Sequence, residues 1–474
     1  MCVATFMLLI DITIVNVALP DIAKDLGSSF TDLQWVVDAY ALSLASLLLT
    51  AGSLADLFGR KRIFLIGLGL FTASSLLCGL ATSPNFLNVA RALQGIGGAA
   101  MFATALALLA QAFVGRERGT AFGIWGATIG AAVAVGPLVG GFLVEHVSWQ
   151  SIFLINLPIG IGAILVALAK VSESSDPEHG GVDWGGLVTF SGGLFLLVFA
   201  LVRGNAKGWT SGLILGFLIG AVVLLALFVL IESRREKPML DLSLFRRPAF
   251  AGAAVVAFCL SAGMFALFLY ITLYLQNTLE LSPLETGVRF LPMTIVSFFA
   301  APLAGKLQGK VPMRWLFFAG MSMVGTGLLL MRAVSPTSGW TALLAGFIVA
   351  GAGIGTTNPS LATTAVGVVE PQRSGMASGI NNTFRQVGIA TGIAGLGALF
   401  EHLISSKFSA PGIPSDALAT GKAALVPEAM RHDYLVAYTG ALDELFLIAA
   451  IVAFAGAIVA AILVRPQDFV GAHG

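Results

Sequence analysis

The sequence predicts an all-α integral membrane protein that crosses the bilayer fourteen times, and three observations carry that expectation. The 474 residues are 57% hydrophobic and only 11% charged, with a mean hydropathy of +0.92, far above an ordinary soluble domain. Apolar runs of about 18–25 residues, each long enough to span about 30 Å of hydrocarbon as a helix, recur between polar or Gly/Pro-rich breaks. The basic residues also alternate. Of 26 Lys and Arg, three (Arg91, Arg289 and Arg385) lie inside apolar runs, and the other 23 divide sixteen to seven between alternate sets of loops. The richer set marks the cytoplasmic side and places both termini there, in a cell membrane.

In order, the runs lie near 1–19, 33–53, 63–81, 84–108, 119–143, 150–170, 185–203, 210–232, 249–274, 286–305, 315–332, 340–366, 375–402 and 441–464. The chain opens inside the first run with no basic leader and no small-residue cleavage site. No cleavable signal peptide is therefore expected, and residue 1 need not be the natural start. The linker Ser233 to Pro248 carries five positive charges and two prolines and divides eight runs from six. If the runs at 185–203 and 210–232 are an insert, six helices remain on each side. That gives an N-terminal bundle over 1–170, an inserted pair with its basic linker over 171–248, and a C-terminal bundle over 249–474. The last of these includes a long external loop over 403–440.

Several functions are disfavoured at once. The net charge of +1 is scattered through short loops rather than gathered into a basic stripe, which argues against nucleic acid. Cys2, Cys78 and Cys259 all fall in apolar runs with no metal or redox spacing, and no metal or cofactor is expected. No nucleotide-binding or hydrolase motif is present, so neither ATP-driven nor enzymatic chemistry is supported.

After the second run comes GSLADLFGRKRIF, from Gly52 to Phe64. With Gly52, Leu54, Ala55, Asp56, Gly59, Arg60 and Lys61 in place, it resembles the cytoplasmic signature G-x-L-A-D-[RK]-x-G-R-[RK] of the major facilitator superfamily, departing from it at Leu57. The resemblance implies the major facilitator fold. Physically, a short hairpin here lets Asp56 meet a helix N-terminus or an arginine and latch the two halves on the cytoplasmic side. Positive-inside anchoring explains the sign of Arg60, Lys61 and Arg62 but not the spacing of Gly52, Asp56 and Gly59.

Charged residues inside the runs point to coupling. In the first run, IDITIVNVALPDI sets Asp11 near mid-membrane, with Thr13, Asn16 and Pro20 on one face and Asp11 about 200° from Thr13. It is similar to the L-D-x-T-I-V-N-V-A-L-P signature of the fourteen-helix drug:proton antiporter family. In the fourth run, RALQGIGGAA carries Arg91 and Gln94 and resembles the R-x-x-Q-G-x-G motif of proton-coupled members. An arginine in hydrocarbon costs at least about 2.5 kcal/mol, so Arg91 should face the interior and hold a partner. QWVVDAY sets Asp38 one to two turns into the second helix, and the resemblance implies that Asp38, helped by Tyr40, attracts lipophilic cations. Asp11, Asp38 and Arg91 are expected to form one outer coupling set. A simpler role for Asp38 is a favourable acid near a helix N-terminus.

GIWGATIGAAVAVGPLVGG, Gly123 to Gly141, is rich in small residues and holds one proline, which suits close helix packing and bending. Gly123, Gly136, Pro137, Gly140 and Gly141 match the antiporter motif G-x8-G-x3-G-P-x2-G-G, with Ala132 at its second glycine. The resemblance implies an antiporter hinge. WQSIFLINLPIG, Trp149 to Gly160, also resembles the family, with Gln150 replacing its usual arginine. In the second half, Asn381, Arg385 and Gly388 share a helix face. Arg289 and Arg385 either hold a carboxylate of the other half or bond helix carbonyls. Met264, Phe265, Phe268, Tyr270, Tyr274, Phe290, Phe298 and Phe299 are candidates to line an apolar pocket.

The expected function is efflux of small lipophilic compounds, cationic ones among them, across the plasma membrane in exchange for protons, by alternating access. An exporter dedicated to one metabolite or antibiotic is the first alternative and a non-transporting membrane sensor the second. Oligomeric state is not readable.

Overall fold

Hydrocarbon offers no water to the backbone, so each crossing must close its own N–H···O=C bonds as a helix. The computed structural model is built that way. It describes residues 1–28, 30–113, 115–175, 182–235, 238–370, 373–409, 413, 418–419, 426–465 and 467. Among these there is no strand, only an isolated bridge between Gln308 and Val311. The principal helices are α1 (Cys2–Leu26), α2 (Phe30–Phe58), α3 (Arg60–Gly79), α4 (Pro84–Ala112), α5 (Gly115–His146), α6 (Ser151–Lys170), α7 (Trp184–Lys207), α8 (Gly212–Glu232), α9 (Pro248–Thr278), α10 (Pro283–Leu307), α11 (Met313–Leu330), α12 (Leu344–Gly367), α13 (Ser374–Lys407) and α14 (Arg431–Leu463). Among the described residues, twelve helices are long and apolar enough to cross a membrane, and thirteen if α1, bent by 46° between Val15 and Val17, counts as one span.

Local chemistry sets many of the ends. Ser83 caps α4 with Pro84 in its first turn, Asp183 and Ser211 cap α7 and α8, and Ser282 with Glu285 forms a reciprocal capping box on α10. Gly59, at φ +106°, is the single residue between α2 and α3, a backbone state that side chains resist. Asp56 therefore lies in the last turn of α2, not in a separate hairpin.

The structure moves other boundaries as well. α6 is interrupted at Ile155, and α9 carries two π-helical turns, Ser261–Phe265 and Tyr274–Thr278. α13 runs on to Lys407 and α14 starts at Arg431, so the connection expected over 403–440 shrinks to 408–430; much of what remains lies outside the described residues. Polar helix turns that continue past an apolar run are invisible to hydropathy. Phe298 and Phe299 are 47% and 71% exposed and cannot line an inner pocket, whereas Met264, Tyr270, Tyr274 and Phe290 are buried in the core.

One apolar core joins α1–α6 around Leu44, Phe71, Phe102 and Trp125, and a larger one joins α9–α14 around Leu267, Phe317, Phe347 and Phe446. The two sets of helices meet along two seams. At the α5–α10 seam, a Cβ on Gly305 would fall on the Gly119 carbonyl and one on Gly123 on the Pro302 backbone. At the other end, one on Gly287 would strike Leu138. At the α2–α13 seam, Gly52 lies against the Gly375 carbonyl and Gly379 against that of Leu48. Small residues permit this backbone approach. α7 lies over the second seam, with Thr50 and Ser191 hydroxyls 2.8 Å apart and an apolar patch of Leu42, Ala45, Val198 and Ala390.

Two glycines of one helical type separate packing from propensity. Gly305→Ala is expected to destabilise by about 1–3 kcal/mol, because backbone, not a flexible side chain, must move. Gly395→Ala meets open space and should gain up to about 1 kcal/mol of helix propensity. Unfolding of the two variants in detergent checks this, and equal midpoints would refute the packing account.

Candidate functional site

A fully buried polar cluster lies inside the first bundle. Asp11 has no exposed surface and Arg91 is 1% exposed, and an Arg91 Nη1 donates to Asp11 Oδ2 at 2.5 Å. Gln94 donates Nε2 to Asp11 Oδ1 at 2.8 Å and accepts from Arg91 at 2.7 Å. Asn156 of α6 donates to the same Oδ1 at 3.0 Å, Ser75 of α3 accepts from Gln94 at 2.8 Å, and Arg91 Nε reaches the Val36 carbonyl at 2.9 Å. The Tyr40 ring lies 4.3 Å from the guanidinium. A charge out of water is tolerable when it is paired and its remaining bonds are filled, and here five helices fill them. Asn156 and Ser75 were not singled out by the sequence reading, although the segment carrying Asn156 was.

Asp38 is not part of this cluster. Its Oδ2 accepts from Arg203 Nε of α7 at 2.7 Å; Arg203 also bonds Gln34 and lies 4.9 Å from the Trp35 ring. The expected single set of Asp11, Asp38 and Arg91 is therefore two separate pairs, and Tyr40 serves Arg91, not Asp38. The cause is helical geometry: positions two apart diverge by about 200°, so Tyr40 and Asp38 leave α2 on opposite sides. Arg203 was missed because it ends the 185–203 run and counted there as a loop cation. The helix continues to Lys207, which leaves Arg203 only 3% exposed.

The latch joins the halves. Asp56 Oδ1 accepts from the Gly375 amide at 3.0 Å and Oδ2 from the Met376 amide at 2.8 Å, while Arg60 bonds the same carboxylate at 2.8 Å. A carboxylate thus sits on the N-terminus of α13, where unpaired N–H groups and the helix dipole favour negative charge. Glu173, a further missed residue, accepts from the Lys61 and Arg62 amides at 2.9 and 3.0 Å, and a side chain at Gly59 would collide with it. Beside the latch, Asp241 accepts from Arg373 at 2.8 Å. Burial raises the Asp241 carboxyl, but hydrogen bonds from Ser243 and the Arg373 charge outweigh it and hold the group below the usual carboxylate range.

The glycine-rich α5 runs between the two halves. Gly126 faces Asn358 and Pro359, Gly130 faces Ser297, and Gly141 faces Leu284, all in the second half. Gly136 and Gly140 face Thr13 and Ile14 of α1, and Ala132 is fully buried in the same contact region. Pro137 and Asn16 lie in helices, but their side chains are outside the described residues.

In the second half, Arg385 Nη1 donates to Asn358 Oδ1 at 3.0 Å and the guanidinium lies 5.6 Å from the Phe265 ring; Arg289 reaches the Glu285 carbonyl at 3.4 Å. Among the described residues neither pairs with a carboxylate. Among them, too, no group of three or more His, Cys, Asp or Glu could hold a metal ion.

Two helical bundles that meet along glycine-lined seams, with ion pairs buried among helices long and apolar enough to cross a bilayer, define a multi-pass membrane protein. The chain belongs to the Major Facilitator Superfamily, whose family model matches residues 1–393. It is similar to the multidrug resistance protein Stp of Mycobacterium tuberculosis, 38% identical over 402 residues that cover 85% of this chain and 75% of that protein. It also resembles the tetracenomycin C resistance and export protein of Streptomyces glaucescens, 35% identical over 411 residues covering 86% and 76%. Among solved structures, the human organic anion transporter MFSD10 (TETRAN) matches with a TM-score of 0.60 at 13% identity, covering 95% of this chain and 98% of that one, a likeness of fold alone.

Removing one partner of the Asp11–Arg91 pair strands the other in the core. Asp11→Asn and Arg91→Gln are each expected to cost about 3–5 kcal/mol, and the double variant clearly less than their sum. Denaturation of all four proteins in detergent reads the coupling; additive losses would mean that the pair does not act as a unit.

Proposed function

We propose that this chain is a proton-coupled exporter of lipophilic compounds that works by alternating access in a cell membrane, with both termini in the cytoplasm. Six helices form each half and α7 and α8 are an inserted pair. Fourteen crossings then require α1 and the glycine-rich α5 to span as well. The names of the relatives, multidrug resistance and antibiotic export, support the direction of transport.

The single observation that carries this reading is the latch. The Asp56 carboxylate of one half is held by two backbone amides of the other, beside the close contact of Gly52 with Gly375, so hydrogen bonds and small-residue packing join the halves there. Alternating access needs such a closable contact at one end and a buried carboxylate whose loss of charge frees a helix contact. Asp11, inside the first half, and Asp38, between α2 and α7, are the candidate carboxylates. Protonating either one weakens its hold on an arginine, Arg91 or Arg203, and so changes which helix contacts persist. A lipophilic cation aimed at Asp38 has to displace Arg203 first. An exporter dedicated to one compound fits the same groups. A sensor without transport is disfavoured, because a static scaffold has no use for costly buried ion pairs.

In vesicles with the chain as the only added protein, dye efflux should follow an imposed pH gradient and stop when an uncoupler is added. Asp38→Asn should reduce gradient-driven efflux nearly to that of protein-free vesicles. Efflux indifferent to the uncoupler would defeat the proton-coupled reading.

A further inference from the structure

Among the described residues, three buried carboxylates of the helices have cationic partners: Asp11 has Arg91, Asp38 has Arg203, and Asp56 has Arg60 with the α13 amides. Of the buried arginines among the described residues, one has no carboxylate partner. Arg385 is 5% exposed, sits within α13, and is met by the neutral Asn358 and the face of Phe265. Asn358, whose Oδ1 accepts from Arg385, has an unpartnered Nδ2, and both polar atoms of Asn381, one turn before Arg385, are unpartnered too. Ser297 and Ser261 hydroxyls are in the same state.

These groups lie at the seam of the two halves. Asn358 faces Gly126 of α5, with 3.3 Å from its Cβ to the position a Gly126 Cβ would take, and Ser297 Oγ lies 3.0 Å from the matching position at Gly130. Asn382, beside Asn381, donates to the Phe102 carbonyl of α4 at 3.3 Å, and Phe265 packs against the cores of both halves. Ser261 and Phe265 begin and end the first π-helical turn of α9, the kind of irregularity that re-aims side chains at functional sites. Phe265 of α9 and Asn358 of α12 meet Arg385 of α13, and Ser297 of α10 lines the same seam.

We infer that this seam seats an amphiphilic organic anion, with a carboxylate or phenolate on Arg385, the neighbouring amides as donors, and an aromatic body against Phe265. A guanidinium offers only donors, and in a water-poor setting an uncompensated charge is retained where a ligand brings the opposite one. A cation meets repulsion at this position. The two carboxylates that could attract one, Asp11 and Asp38, are already occupied by arginines. This deepens the exporter reading and rests on it only for the direction of movement.

The test compares two xanthene dyes of one skeleton, anionic fluorescein and a cationic rhodamine ester, on the full chain in phosphatidylcholine nanodiscs, where no anionic lipid competes. By fluorescence anisotropy the wild type should bind fluorescein about tenfold or more tighter than the rhodamine ester, the size expected of a charge-assisted bond. Arg385→Gln should abolish that preference and Arg385→Lys keep part of it. Asn358→Asp provides Arg385 with an internal counter-ion at nearly unchanged volume. It should lose fluorescein affinity with an undiminished melting temperature, and it decides the matter if Arg385→Gln does not fold. Preference of the wild type for the cationic dye, or fluorescein binding unchanged in Asn358→Asp, would overturn the inference. Uptake of both dyes into proteoliposomes under a pH gradient separates the two readings. Arg385-dependent binding with no uptake sinks the exporter and leaves the seat, and uptake with no dependence on Arg385 does the reverse.

Discussion

The Asp11–Arg91 pair is the interaction on which the first half depends. Either charge alone in hydrocarbon is costly, and together they remain tolerable only because Gln94, Asn156, Ser75 and the Val36 carbonyl complete the bonding. Each partner comes from a different helix, so the pair fixes the mutual rotation of α1, α2, α3, α4 and α6. Apolar packing in lipid cannot do this as sharply, since a leucine gains little by exchanging lipid for protein. Polar geometry specifies the register, and small residues allow the approach.

The seams between the halves follow the opposite rule. Glycine against backbone at Gly52, Gly305 and Gly379 gives close contact without interdigitated side chains, and such surfaces can part and meet again with no repacking. Among the described residues, strong, directional contacts across the halves are confined to a few places. The Asp56 latch is one, and the bond from Asn382 to the Phe102 carbonyl is another. A rigid interior within each half, joined by a smooth seam, is the division of labour that rigid-body rocking requires.

The sequence carried the apolar runs, the latch and the Asp11–Arg91–Gln94 group, because each leaves a local mark: a run of fixed length, glycines at fixed spacing, or a charge where none belongs. It did not carry pairings that depend on how far a helix extends or turns. Arg203 read as a loop cation until α7 proved one turn longer, and Tyr40 read as a helper of Asp38 although two positions on a helix face apart. The π-helical turns of α9 leave no composition signal either, since Ser261–Phe265 is apolar like its flanks. Glu173, and which helix N-terminus Asp56 would meet, were beyond reach, because these roles arise from residues more than a hundred positions away.

What α7 does to the α2–α13 seam follows from its bonds. Arg203 ties it to Asp38 and Gln34 of the first half, and Asn205 donates to the Ala394 carbonyl of the second at 3.1 Å. The same helix thus touches both halves within three residues, whereas the α5–α10 seam has no such bridge among the described residues. Parting the halves along α2 and α13 at that end must break one of the two attachments. The neutral amide-to-carbonyl bond is weaker than the guanidinium-to-carboxylate pair, roughly by half. α7 should therefore travel with the first half for as long as Asp38 keeps its charge, and a proton on Asp38 removes that preference. The Asp38–Arg203 pair is thus the stronger of the two attachments that hold α7 at this seam.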